Sequence, residues 1–151
     1  MKFQLDHIAI RCEDYQKSKA YYQDLLGAKM IYESHSKLDG SPYCLLYIGG
    51  EDLKGDLLND HYAYSPLETI ELLGQPTDGT KKPNGLSHIC YRVDEVKDAY
   101  EMAKSKGVKF VDEYQNGMLE SGYGEGIKIA FFNGPDGERT EFFHIHKPAD
   151  K

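Results

Sequence analysis

FQLDHIAIR, residues 3–11, has the apolar content and alternation of a β-strand, and Asp14 follows it as a helix N-cap. Side chains on a strand point alternately to its two faces. Ile8 and Ile10 therefore share one face, and His7, Ala9 and Arg11 share the other. An imidazole and a guanidinium on one inward-looking face make an unusual core. They read either as a satisfied core histidine with a surface arginine, or as a metal ligand or acid/base beside an anion clamp. This stretch alone leaves both readings open. The weight shifts because the chain says the same thing again.

Outward from that strand, Asp14 to Gly27 bound an amphipathic helix with Tyr15, Tyr22, Leu25 and Leu26 as its apolar residues. Strands are expected at 28–36 and 42–48, joined by a turn at Asp39-Gly40. Residues 49–66 are acidic and irregular, and read as a lid or contact loop. A strand at 67–73 precedes a linker of turn formers at 74–85. The order then repeats. LSHICYRV at 86–93 is a strand, and Asp94 is the expected cap of a helix striped by Val96, Ala99, Tyr100 and Ala103 and closed by Gly107. A short strand at 108–111, a glycine-rich segment at 112–126, and strands at 127–132 and 139–145 complete the chain.

The halves superpose in sequence: HIAIR at 7–11 on HICYR at 88–92, Gly27 on Gly107, and TIELL at 69–73 on RTEFF at 139–143. The fold expected is α+β, a single domain over 1–151 built of two tandem βαβββ modules. Module one spans about 3–73, the linker 74–85, and module two about 86–146. The duplication puts four potential ligands at equivalent places: His7 and His88 on the first strands, Glu71 and Glu141 on the last. A carboxylate inside an apolar run needs a strong partner such as a cation. Two imidazoles and two carboxylates form a mixed nitrogen and oxygen set that suits nickel, cobalt, zinc, manganese or iron(II).

The bulk properties agree with a small enzyme or binding protein. The net charge of −7 argues against nucleic acid or an anionic membrane as partner. No apolar run approaches the roughly 20 residues of a membrane helix, and MKFQLDHIAI has no signal-peptide pattern, so a cytoplasmic location is expected. Cys12, Cys44 and Cys90 lack CxxC spacing and are expected as reduced thiols.

On the motifs DHIAIRCEDYQKSKAYYQDLLG (6–27), GLSHICYRVDEV (85–96) and GPDGERTEF (134–142), the chain resembles the vicinal oxygen chelate superfamily. That group includes glyoxalase I, methylmalonyl-CoA epimerase, fosfomycin-resistance enzymes and extradiol dioxygenases. The resemblance implies paired βαβββ modules whose sheets curve around a metal cleft, usually in a homodimer. It also implies one divalent metal held by His7, Glu71, His88 and Glu141, the His, Glu, His, Glu order of bacterial glyoxalase I. The implied activity is that of a lactoylglutathione lyase. It isomerises a hemithioacetal of a 2-oxoaldehyde and glutathione, with Glu141 as base and Glu71 assisting. Arg11 falls where the family binds a glutathione carboxylate, and Arg92 is its counterpart in module two. Gln75 stands where that pattern has asparagine, and Asn84 where it has a basic residue; these departures, with the long 49–66 loop, bear on the identity of the thiol. Another epimerase or isomerase, a dioxygenase, and a non-catalytic small-ligand binder are the competing expectations.

Overall fold

The computed structural model describes residues 1–49, 68–111, 118–121 and 127–145, so nearly all of the expected 49–66 loop lies outside the described residues. The first half runs β1 (Phe3–Arg11), α1 (Tyr15–Leu26), β2 (Lys29–His35), β3 (Pro42–Tyr47) and β4 (Thr69–Leu73). The second runs β5 (Gly85–Val93), α2 (Val96–Ser105), β6 (Met118–Ser121), β7 (Ile127–Asn133) and β8 (Arg139–Ile145). Each half is βαβββ. The strand order is β2-β3-β4-β1 in the first and β6-β7-β8-β5 in the second, the same arrangement twice.

The chain forms two compact units, Asp6–Ser87 and the segment from His88 onward together with Met1–Leu5. The opening residues join the second unit through named contacts. The Lys2 backbone N–H donates to the Asp94 carboxylate at 3.1 Å, and the Phe3 ring lies 5.8 Å from Phe142. The cap of α2 is Glu95, whose side chain accepts from the Lys97 N–H, one residue after the expected cap Asp94.

In the first unit, one face of the sheet packs on α1 through Cys12, Tyr15, Ala28, Cys44, Leu46 and Leu72. Asp14 caps α1, and Gly27 ends it at φ +62, a left-handed conformation that a side chain disfavours. The expected stripe is only half right. Tyr15 is buried and Tyr22 packs on the cluster, but Leu25 and Leu26 are 59% and 44% exposed. Leu25 is rotated about 80° from the line through Tyr15 and Tyr22. Leu26 falls in the last turn, just before the chain leaves the helix at Gly27.

In the second unit, α2 buries Val96, Ala99, Tyr100 and Ala103 against Val93, Ala130 and Phe142, the stripe expected from spacing. The strand expected at 108–111 is reduced to one bridge, Phe110 to Phe132. Val108 and Phe110 spend their side chains on the α2 cluster instead. The ladder beside β7 is β6, which pairs Met118 with Ala130 through Ser121 with Ile127, inside the segment expected to be irregular. Four residues between glycines carry too short a pattern to read as a strand; the partner strand supplies the hydrogen bonds that define it. All three cysteines are buried and outside any disulfide, and burial pushes the Cys44 thiol up to about 11. Among the described residues no helix is long and apolar enough to cross a membrane.

Candidate functional site

Both expected histidines lie on the sheet face opposite their helix. In the first unit, β1 runs parallel to β4 with Ala9 beside Glu71. In the second, β5 runs parallel to β8 with Cys90 beside Glu141. Ala9 and Cys90 are each two residues past a histidine, so the register of the two modules is the same. Paired residues on neighbouring strands point to one face. The small side chains of Ala9 and Cys90, both fully buried, leave room for the preceding histidine to lean toward the carboxylate.

In the two pairs that result, His7, His88 and Glu141 are buried and Glu71 is half-buried. His7 Nε2 stands 3.7 Å from Glu71 Oε2, with His7 at 4% and the Glu71 side chain at 14% exposure. His88 Nε2 stands 2.9 Å from Glu141 Oε2, with both side chains at 6%. Donor atoms that share an ion at bonds of roughly 2.0–2.2 Å can stand up to about 4.4 Å apart. Each pair meets that limit without rearrangement, and imidazole nitrogen with carboxylate oxygen is a donor chemistry that divalent transition ions accept. The residues present therefore fit a divalent metal.

The surroundings of the two pairs differ. His88 sits edge-on to the Phe131 ring, with centroids 5.3 Å apart, in a cluster with Cys90, Ile129 and Phe143. Arg139 lies 4.4 Å over the same Phe131 ring. His7 instead has a carboxyl group behind it: Asp6, 2% exposed, has Oδ1 2.8 Å from His7 Nδ1. Asp6, in the middle of β1, was not marked from the sequence because a lone strand carboxylate reads as solvent-facing. Its signal was a charge immediately before a candidate ligand in an otherwise apolar strand. Tyr43, buried, shares the face of Glu71. Burial first, then Tyr32 and the Glu71 charge, push its phenol well above the ordinary range, so it stays protonated at neutral pH.

Arg11 is 9% exposed and already engaged. Its Nη1 donates to the Gly74 carbonyl at 2.5 Å and to Ser41 Oγ at 3.3 Å. A side chain at Gly74 would strike Pro42. Arg11→Ala is expected to lower stability by about 2–3 kcal/mol, because a buried carbonyl and hydroxyl lose a charged donor. Urea unfolding checks this, and an unchanged midpoint would leave Arg11 as a side chain that serves only a ligand.

Gln75 and Asn84 turn out to belong to one clasp. Gln75 Nε2 donates to the Cys12 carbonyl, the Lys82 carbonyl and Asn84 Oδ1, and Gln75 Oε1 accepts from the Lys82 N–H. Asn84 in turn donates to Glu13, which also pairs with Lys81. Arg92 is half-buried on β5. His144 is half-buried, with Nδ1 2.9 Å from the Val93 carbonyl; His35 is exposed, and His61 and His146 lie outside the described residues.

Comparison with known proteins places the chain in a family. The model of the Glyoxalase/Bleomycin resistance protein/Dioxygenase superfamily matches residues 4–142. The uncharacterized protein YaeR of Escherichia coli is 32% identical, covering 93% of this chain and 95% of that protein. The lactoylglutathione lyase of Pseudomonas aeruginosa is 27% identical over 93% of this chain and 81% of its own length. Among solved structures, methylmalonyl-CoA epimerase from Mycobacterium tuberculosis superposes with a TM-score of 0.70 at 21% identity, over 95% of this chain and 88% of that one. At that identity the likeness is one of fold.

Proposed function

The chain belongs to the Glyoxalase/Bleomycin resistance protein/Dioxygenase superfamily, and from that premise we propose that it is a metal-dependent lyase of the glyoxalase I type. The observation that supports this best is the pair of buried histidine–glutamate couples on equivalent strands of the two modules. In this reading His7, Glu71, His88 and Glu141 hold one divalent ion, and the substrate is the hemithioacetal of a 2-oxoaldehyde with a thiol. When bound, the ion supplies Lewis-acid stabilisation of the charge that develops on two adjacent substrate oxygens. Glu141 takes the proton from the thiol-bearing carbon and returns it to the neighbouring carbon, leaving the thioester of a 2-hydroxy acid. No electrons leave the substrate, so the step is an isomerisation and needs no redox partner. The apolar ring of Phe131, Phe143 and Ile129 keeps water from that carboxylate. A homodimer in the cytoplasm, acting on methylglyoxal, is the setting this reading implies.

A second reading keeps the proton transfer and changes the substrate to another hydroxycarbonyl compound or an acyl thioester. It is favoured by one observation: Gln75 and Asn84, the two departures from the glyoxalase I pattern, are both occupied in tying down the linker. A non-catalytic binder is disfavoured, since it has no use for two buried carboxylates beside imidazoles.

The deciding experiment is turnover of methylglyoxal plus glutathione by metal-stripped protein, with nickel, cobalt, zinc and manganese restored in turn. Activity absent without metal and recovered with at least one ion is the expected result. Tight metal binding with no turnover would move the assignment to the second reading, and absence of metal binding would remove both.

A further inference from the structure

We infer that Asp6 is a positioning residue that fixes His7 in the tautomer protonated at Nδ1, keeping Nε2 as a lone-pair donor turned toward Glu71; the inference rests on the metal reading above for its purpose. The contact is Asp6 Oδ1 to His7 Nδ1 at 2.8 Å, between side chains that are 1% and 4% exposed. A carboxylate only accepts hydrogen bonds, so the proton between these atoms belongs to the ring. The other ring nitrogen is then the one left to face Glu71, 3.7 Å away. Histidines that ligate metals commonly donate their second nitrogen to a carboxylate, which orients the ring and strengthens the donor.

The arrangement departs from the duplication. His88 is preceded by Ser87, which carries no charge, although HIAIR and HICYR otherwise match. A bare carboxylate buried to this degree is also costly unless it has a strong partner. Asp6 thus makes the module-one histidine the better donor of the two.

The test has two arms. In the first, ¹⁵N-resolved NMR of the metal-free protein reads the His7 tautomer. Wild type is expected to carry its proton on Nδ1, and Asp6→Ala to lose that preference. In the second, cobalt(II) affinity is measured by competition with a chelator. Asp6→Ala is expected to weaken it by about 10–100-fold. Asp6→Asn, which fills the same volume and keeps an acceptor oxygen without the charge, is expected to fall between, and it serves if the alanine variant does not fold.

A wild-type His7 protonated on Nε2 would overturn the inference. So would an unchanged tautomer with cobalt affinity within two-fold of wild type in both variants, even if stability fell, since that is the signature of a purely structural pair. If the wild type binds no cobalt, the metal reading fails, and the tautomer arm alone still decides the role of Asp6.

Discussion

Glu141→Gln is expected to lower kcat of the metal-loaded protein by about 10²–10⁴-fold, the range associated with loss of a general base. Glu141 lies on β8 and is 5% exposed, with Oε2 2.9 Å from His88. The amide matches the carboxylate in shape but cannot take up a proton at neutral pH. Packing around Phe131 and Phe143 is retained, so the urea midpoint should move little. Gln is also a weaker metal ligand, and kinetics are therefore compared at saturating metal with metal content measured alongside. kcat and kcat/KM falling together locate the loss in the transition state rather than in binding. Activity within ten-fold of wild type would remove Glu141 from the role of base and pass it to Glu71, whose looser spacing of 3.7 Å from its histidine makes it the alternative.

Leu72→Ala is expected to cost about 2–5 kcal/mol of stability, the range for truncating a large buried aliphatic side chain. Leu72 is fully buried and lies in the cluster of Cys12, Tyr15, Ala28, Cys44 and Leu46 under α1. Its neighbour Glu71 points to the other face of the same strand, beside Ala9. The cavity therefore opens on the helix side, while the backbone ladder that holds Glu71 is untouched. Urea unfolding should show a lower midpoint with an unchanged m value. Turnover at a temperature where the variant is folded should stay near wild type. A loss below 1 kcal/mol would mean that α1 settles into the gap, and a parallel loss of activity would mean that β4 shifts with it.

The difference between these two substitutions reflects how the strands divide their labour. In each module the helix-facing residues are apolar and pay no attention to chemistry: Leu46 and Leu72 in one, Ala130 and Phe142 in the other. The opposite face carries the histidine and the glutamate. This two-faced pattern was legible in the sequence because strand periodicity is short and local. So were the βαβββ order, the burial of His7, Ala9 and Arg11 on one face, and the α2 stripe.

Other features could not be read from the chain. That β6 lies at Met118–Ser121 depends on the pairing offered by β7. That the Asp94 carboxylate meets the backbone N–H of Lys2, 92 residues away, is likewise a contact between distant parts of the chain. Arg11 was legible as a surface arginine or an anion clamp but not as a donor to the Gly74 carbonyl. Gln75 and Asn84 were marked by comparison with a family pattern, yet their mutual hydrogen bond at 2.8 Å is a property of how the linker folds back.

The sequence by itself determined the repeated architecture and singled out four candidate ligands, because both are written in spacings of a few residues and in a duplication that repeats them. The tertiary structure decided which groups those residues meet. A register shared by two parallel strand pairs sets each histidine against its glutamate. A buried aspartate, one residue from its histidine in the chain, becomes that ring's partner only once both side chains are withdrawn from water and each must satisfy the other.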